Sequence, residues 1–223
     1  MVKGIVFDLD GTLVDCMPDF CEMMNLFLEK IGATRIESEV TPDKVKTFIG
    51  HGARKAMENL LEHYNIPFTE KEADELFKIY MRVYNTKPLD KSTLCDNVFE
   101  TLTKLKGEGY HMAICTNKPH KPAMFVLEQL GIKDFFFPIL DAEATPYLKP
   151  SPELMNIVFE KMGLGRDDCI MVGDSKVDVD AAKGVGMPVV IVSYGFAYYP
   201  VESLNADKII DNFGELPEAI KLF

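Results

Sequence analysis

Short apolar runs recur along this chain, and each closes on polar or glycine residues. The first is Gly4-Ile5-Val6-Phe7, which runs into Asp8-Leu9-Asp10-Gly11-Thr12. Others are Met112–Thr116, Phe136–Leu140, Cys169–Gly173 and Pro188–Ser193, with Ile209-Ile210 as a short edge strand. Continuous runs of this length, bounded by glycine or polar residues, read as strands buried on both faces. Helical spacing fills the intervals near 97–108, 121–130, 151–163 and 177–185. Strand–helix alternation implies a parallel sheet with helices on both faces.

The interval after the first strand breaks this rhythm. Residues 18–85 carry no clear strand pattern. Phe20, Met23, Met24, Phe27, Leu28 and Ile31 follow helical spacing, as do Ala56, Leu60 and Leu61, then Leu76, Ile79, Tyr80 and Val83. The spacing predicts helices near 18–31, 42–49, 53–64 and 69–85. The expected fold is therefore α/β: a doubly wound, Rossmann-like parallel sheet built from residues 1–15 and 88–223. An all-helical cap over 16–87 is inserted into it, with hinges at Val14–Pro18 and Asn85–Leu89.

Composition narrows the function. The 223 residues are 47% hydrophobic, and 24 basic against 35 acidic residues leave a net charge of −11. That balance disfavours a nucleic-acid backbone or an anionic membrane surface as partner. No run approaches the ~20 apolar residues a bilayer span requires. One Lys before a short apolar run ending at Asp8 does not read as a signal peptide. The five cysteines are odd in number and lack metal-ligand spacing, which suits free thiols in a reducing cytoplasm. Cys115 and Cys169 fall in strands as core residues. The four scattered histidines offer no metal site.

Chemistry gathers at the strand ends. Asp8 and Asp10, two residues apart, point to the same side of an extended segment. They converge where the strand opens into a loop, the place where open α/β sheets bind ligands. Crowded carboxylates there need a cation, a proton or hydrogen-bond donors. Thr116-Asn117-Lys118-Pro119 follows the second run, Lys149-Pro150-Ser151-Pro152 the third, and Gly173-Asp174-Ser175-Lys176-Val177-Asp178 the fourth. Singly, each also reads as a cap, turn or solvated loop. Together they bring a hydroxyl, an amide, a lysine and more carboxylates beside Asp8 and Asp10.

In these strings the chain resembles the haloacid dehalogenase-like hydrolase superfamily over its whole length. Asp8–Thr12 matches DxDGT, Thr116 the Ser/Thr motif, Lys149 the lysine motif, and Asp174 with Asp178 the GDxxxD motif. Asp8–Asp15, Gly50-His51-Gly52-Ala53, Thr116–Pro119 and Lys149–Pro152 are most similar to phosphoglycolate phosphatases. The resemblance implies a phosphatase of a small phosphorylated metabolite, with 2-phosphoglycolate as first substrate and no nucleic-acid or membrane partner. It is expected in the cytoplasm as a monomer or homodimer.

The resemblance also implies roles. Asp8 would attack phosphorus, and Asp10 would serve as acid and then base. Thr116 and Asn117 would hold phosphoryl oxygens, while Lys149 would offset charge. Mg²⁺ would be held by Asp8, the Asp10 carbonyl and Asp174, with Asp178 supporting them. In the cap, Gly50, His51, Gly52 and Arg54 would meet the leaving group, although a plain helix–helix turn fits that segment equally. Lys118 reads equally as a site cation or as a solvated loop residue. Competing readings are a sugar-phosphate mutase like β-phosphoglucomutase and a pyrophosphatase or nucleotidase of the same superfamily. A binding protein without catalysis is the different-class alternative. A dehalogenase fits poorly, because a departing halide gives Asp10 no proton to supply.

Overall fold

The computed structural model describes residues 2–33, 39–86 and 89–223. Six parallel strands form the central sheet: β1 (Gly4–Phe7), β4 (His111–Cys115), β5 (Ile139–Leu140), β6 (Cys169–Gly173), β7 (Val189–Val192) and β8 (Lys208–Ile210). Their spatial order is β5-β4-β1-β6-β7-β8. The chain thus builds outward from β1 on one side, returns to β6, and builds outward on the other. This reversal leaves a crevice at the carboxyl end of β1.

Alternation along β1 explains the two-sided burial. Ile5 and Phe7 enter one apolar cluster, Val6 the opposite one, and all three are fully buried. The first face is covered by α5 (Val98–Gly107), α6 (His120–Gln129) and α9 (Leu216–Ile220). The second is covered by α7 (Pro152–Met162) and α8 (Lys176–Val185). Each of these helices offers its sheet face aliphatic residues at helical spacing, such as Val98, Leu102 and Leu105 on α5.

The segment after β1 is helical as its spacing predicts: α1 (Met17–Lys30), α2 (Pro42–Phe48), α3 (Ala53–His63) and α4 (Glu70–Thr86). Pro42 opens α2 at a position where a missing N–H costs nothing. The methionine stripe of α1 is core: Met23 and Met24 are fully buried, and Phe27 meets the Tyr80 ring edge-on at 5.1 Å. Among the described residues no helix is long and apolar enough to cross a membrane.

Three local features differ from expectation. Phe136–Leu140 shortens to Ile139–Leu140, preceded by Phe137 and Pro138, whose N–H and carbonyl respectively still bond Met112 and Ile114 of β4. A terminal helix, α9, packs under the first face. A two-stranded antiparallel ribbon also joins β2 (Val14–Asp15) to β3 (Thr93–Leu94), with the Cys95 N–H donating to the Leu13 carbonyl. The ribbon pairs the two chain segments that lead to and from the helices. In the second expected hinge, residues 87 and 88 lie outside the described residues.

Candidate active site

Four strand ends deliver the site. β1 ends at Phe7 and hands Asp8 to the crevice, where the Asp8 N–H donates to the Val172 carbonyl of β6 at 2.9 Å. β4 delivers Thr116 and Asn117, the loop beyond β5 delivers Lys149, and β6 delivers Asp174. Lys149 is 3% exposed, and its Nζ lies 2.8 Å from Asp8 Oδ1 and 2.7 Å from Asp178 Oδ1. The other Asp178 oxygen accepts from Ser175 Oγ at 2.8 Å and from the N–H groups of Ser175 and Asp174 at 3.1 and 3.2 Å. Asp178 thereby caps α8 and orients Lys149 with the same carboxylate. The Phe196 N–H donates to Asp174 Oδ2 at 2.6 Å.

Burial and the neighbouring carboxylates act on Asp8 and Asp174 in the same direction. Desolvation pushes Asp8 up to about 6 against the pull of Lys149, and the Asp178 charge adds to the rise. Asp174 is driven well above the usual carboxylate range by burial and by the charges of Asp178 and Asp8. Lys149 is held above its ordinary value: burial opposes its charge, but Asp178 and Asp8 outweigh it. Oxygens of Asp8, Asp174 and Asp178 lie within 4.8 Å of one another. An all-carboxylate cluster in which burial disfavours the charges of Asp8 and Asp174 fits a hard divalent cation such as Mg²⁺.

Asp10 has a different partner, the loop lysine that the sequence left open. Lys118 Nζ sits 2.8 and 3.0 Å from the two Asp10 oxygens, and its side chain is 1% exposed. Burial works against this ammonium, yet the charge of Asp10 holds its proton affinity well above the ordinary lysine value. Phe20 of α1 and Tyr84 of α4 place their rings 4.8 and 5.5 Å from Nζ. Cys16 Sγ donates to Asp10 Oδ1 at 3.1 Å. No motif marks Cys16 or Phe196, since each acts through position alone.

All these groups except Val172, Cys16 and Asp178 line a cavity of about 270 Å³ between the strand ends and the helices. Gly50, His51, Gly52 and Ala53 line its far side. Gly50 and Gly52 take φ of +110° and +89°, a region that side chains rarely enter, and so turn the chain into α3. Asn117 ties this turn down: its side-chain amide donates to the carbonyls of Gly50 and Lys149. Its carbonyl oxygen accepts from the Lys149 N–H. Arg54 corrects the sequence expectation, because it does not line the cavity. Its guanidinium pairs with Glu58 and Asp74, each at 2.9 Å, and lies over the Phe77 ring. One residue after Ala53, helical rotation turns Arg54 toward α4.

The family model for haloacid dehalogenase-like hydrolases matches residues 5–192. The chain belongs to that family. This hydrolase is 30% identical to a phosphoglycolate phosphatase of Rhodospirillum rubrum, over 97% of this chain and 90% of the relative. It is 34% identical to a phosphoglycolate phosphatase of Haemophilus influenzae, over 96% of both. The crystal structure of a predicted phosphoglycolate phosphatase from Haemophilus somnus superimposes with a TM-score of 0.87, at 31% identity and 98% coverage of both chains. By family and relatives, the enzyme is a phosphatase.

Proposed function

We propose that this phosphatase hydrolyses a small phosphomonoester through an aspartyl-phosphate intermediate on Asp8, with Mg²⁺ as cofactor and 2-phosphoglycolate as first substrate. The observation that carries the reading is the division of the cavity floor. Asp8 is held by Lys149 at one point, and Asp10 is held by Lys118 at another. Phosphoryl transfer needs an in-line nucleophile and positive charge around the transferring group. A carboxylate nucleophile splits the reaction into two easier displacements.

In the first displacement an Asp8 oxygen bonds to phosphorus and the ester oxygen departs with its electron pair. Asp10 supplies the proton that makes the leaving group an alcohol. In the second, Asp10 takes a proton from water as that water attacks the aspartyl phosphate. Inorganic phosphate leaves and Asp8 is restored. Throughout, Lys149 stabilises charge on the phosphoryl oxygens, and Thr116 and the Asn117 backbone N–H provide hydrogen bonds. Mg²⁺ would be held by Asp8, Asp174 and the Asp10 carbonyl, with Asp178 fixing their surroundings, and would supply electrostatic stabilisation to the phosphoryl group.

Residues 16–87 form a cap domain over the core of 1–15 and 88–223 in this reading. The cap excludes water during attack and readmits it for hydrolysis. A cytoplasmic location agrees with the five free thiols.

A phosphate-release panel tests the proposal. Purified protein with Mg²⁺ is given 2-phosphoglycolate, pyrophosphate, nucleoside monophosphates and hexose phosphates. Highest kcat/KM on phosphoglycolate is expected. Release from none of the monoesters would overturn the reading, and preference for another substrate would replace the first one.

A further inference from the structure

A lysine as buried as Lys118 needs a reason, because an ammonium taken out of water costs several kcal/mol unless it is compensated. Steadying Asp10 is a weak reason, since Cys16 already donates to Asp10 Oδ1 at 3.1 Å without burying a charge. The place of Lys118 supplies a stronger one. If Asp10 meets the ester oxygen, as proposed above, the Lys118 ammonium lies 2.8–3.0 Å from the atoms that touch that oxygen. Any substituent on the first carbon of the leaving alcohol starts beside it. The rings of Phe20 and Tyr84 lie 4.8 and 5.5 Å from the ammonium and line the cavity beside it.

The other cations near the cavity are committed elsewhere or lie farther out. Lys149 bridges Asp8 and Asp178 at the phosphoryl end. Lys176 is exposed and paired with Asp180. Arg54 is turned toward Glu58 and Asp74. Lys46 is half-buried on α2, at the cap side of the cavity.

We propose that Lys118 is a specificity-determining residue that binds an anionic group one carbon from the ester oxygen, so that the enzyme selects short acidic phosphomonoesters. The inference rests on the proposed phosphatase reading and deepens it. Asp10 accepts from Lys118 on both of its oxygens, where one hydrogen bond would hold it. An entering carboxylate takes the second donor, and Asp10 keeps the first. No proton is transferred between Lys118 and the substrate.

The test compares 2-phosphoglycolate with ethyl phosphate, which lacks the anionic group, in the wild type, Lys118→Met and Lys118→Arg. Wild type should prefer phosphoglycolate by at least about tenfold in kcat/KM, and Lys118→Met should bring the ratio to within about threefold, because its loss on phosphoglycolate exceeds its loss on ethyl phosphate. Lys118→Arg, which keeps the charge, should recover part of the preference. Binding of 3-phosphonopropionate and propylphosphonate to the Mg²⁺-loaded wild type and Lys118→Arg gives the same comparison without turnover, and it decides the matter if Lys118→Met does not fold, because a changed guanidinium geometry should reduce the preference only if position 118 meets the carboxylate. The carboxylate should tighten binding by at least about tenfold.

Hydrolysis of neither ester by wild type would overturn both the phosphatase reading and this inference. Equal wild-type rates on the two esters, or equal affinity for the two phosphonates, would overturn the inference alone. Equal fold-losses on both substrates in Lys118→Met would make Lys118 a positioning residue for Asp10. Preference retained in Lys118→Met would move anion recognition to the start of α3. Each of these last two results also overturns the inference.

Discussion

The side-chain amide of Asn117 donates to the carbonyl of Gly50 at 2.9 Å, so one hydrogen bond joins the loop after β4 to the turn before α3. The same side chain donates to the Lys149 carbonyl at 3.0 Å and accepts from the Lys149 N–H at 2.8 Å. Asn117 therefore holds the backbone of the phosphoryl-end lysine and the glycine turn of the helical lobe in one register. Both carbonyl partners are main-chain groups, so the link does not depend on side chains at positions 50 and 149.

Asn117→Ala removes three hydrogen bonds from a side chain that is 8% exposed. A loss of about 2 kcal/mol is expected, equivalent to a melting point lower by about 4–8 °C. Amide exchange should quicken at residues 50–53 more than in the central strands, which do not depend on this link. Uniform protection across the chain would show that the turn is held by other contacts.

Asp8→Asn should fold and lose turnover by at least about a thousandfold, because the amide keeps the shape and removes the attacking charge. Lys149 retains Asp178 as partner in this variant. Steady-state phosphate release, together with a melting curve, measures both parts. Near-native turnover in protein free of contaminating phosphatase would rule Asp8 out as nucleophile.

Metal-free stability should fall as pH rises through the window set by Asp8. Its ordinary value is 3.8, and burial raises it to about 6 in the folded chain. The folded state therefore keeps a proton that the unfolded state has lost, so the favourable contribution is complete below 3.8 and gone above about 6. Mg²⁺ competes with that proton and offsets the crowding of Asp8, Asp174 and Asp178. Millimolar Mg²⁺ should raise the melting point more at about pH 7.5 than at about pH 5, read by calorimetry. An equal rise at both values would place the cation elsewhere.

Arg54→Ala should change kcat/KM on any phosphomonoester by less than about twofold, since its partners Glu58 and Asp74 lie outside the cavity. These ion pairs are partly exposed and worth about 0.2–1 kcal/mol each, so the melting point should drop by less than about 8 °C. A selective rise in KM for an acidic substrate would show that Arg54 turns inward when substrate binds.

Much of this site is legible in the sequence because it lies at strand ends, where local pattern and function coincide. An apolar run that closes on Asp8-Leu9-Asp10-Gly11-Thr12 announces both the strand and the carboxylates it carries. Helical periodicity over 18–85 likewise foretells α1–α4, since each helix buries one stripe of its own residues. The short ribbon of Val14–Asp15 with Thr93–Leu94 was not legible. Two-residue strands carry no period, and their pairing spans nearly eighty positions.

The sequence by itself determined the alternation of strands and helices, the helical insertion, and the acids and lysines that crowd the carboxyl edge of the sheet. Periodicity and local chemistry are properties of neighbouring residues, so they survive without coordinates. Only the tertiary structure decided which charges meet. Lys118 could be a solvated loop residue until α1 and α4 bring Phe20 and Tyr84 over it and β1 brings Asp10 beneath it. Arg54 could face the cavity until the rotation of α3 gives it to Glu58 and Asp74. In each case the outcome depends on desolvation and pairing between elements far apart in the chain, and those terms arise only when the elements pack.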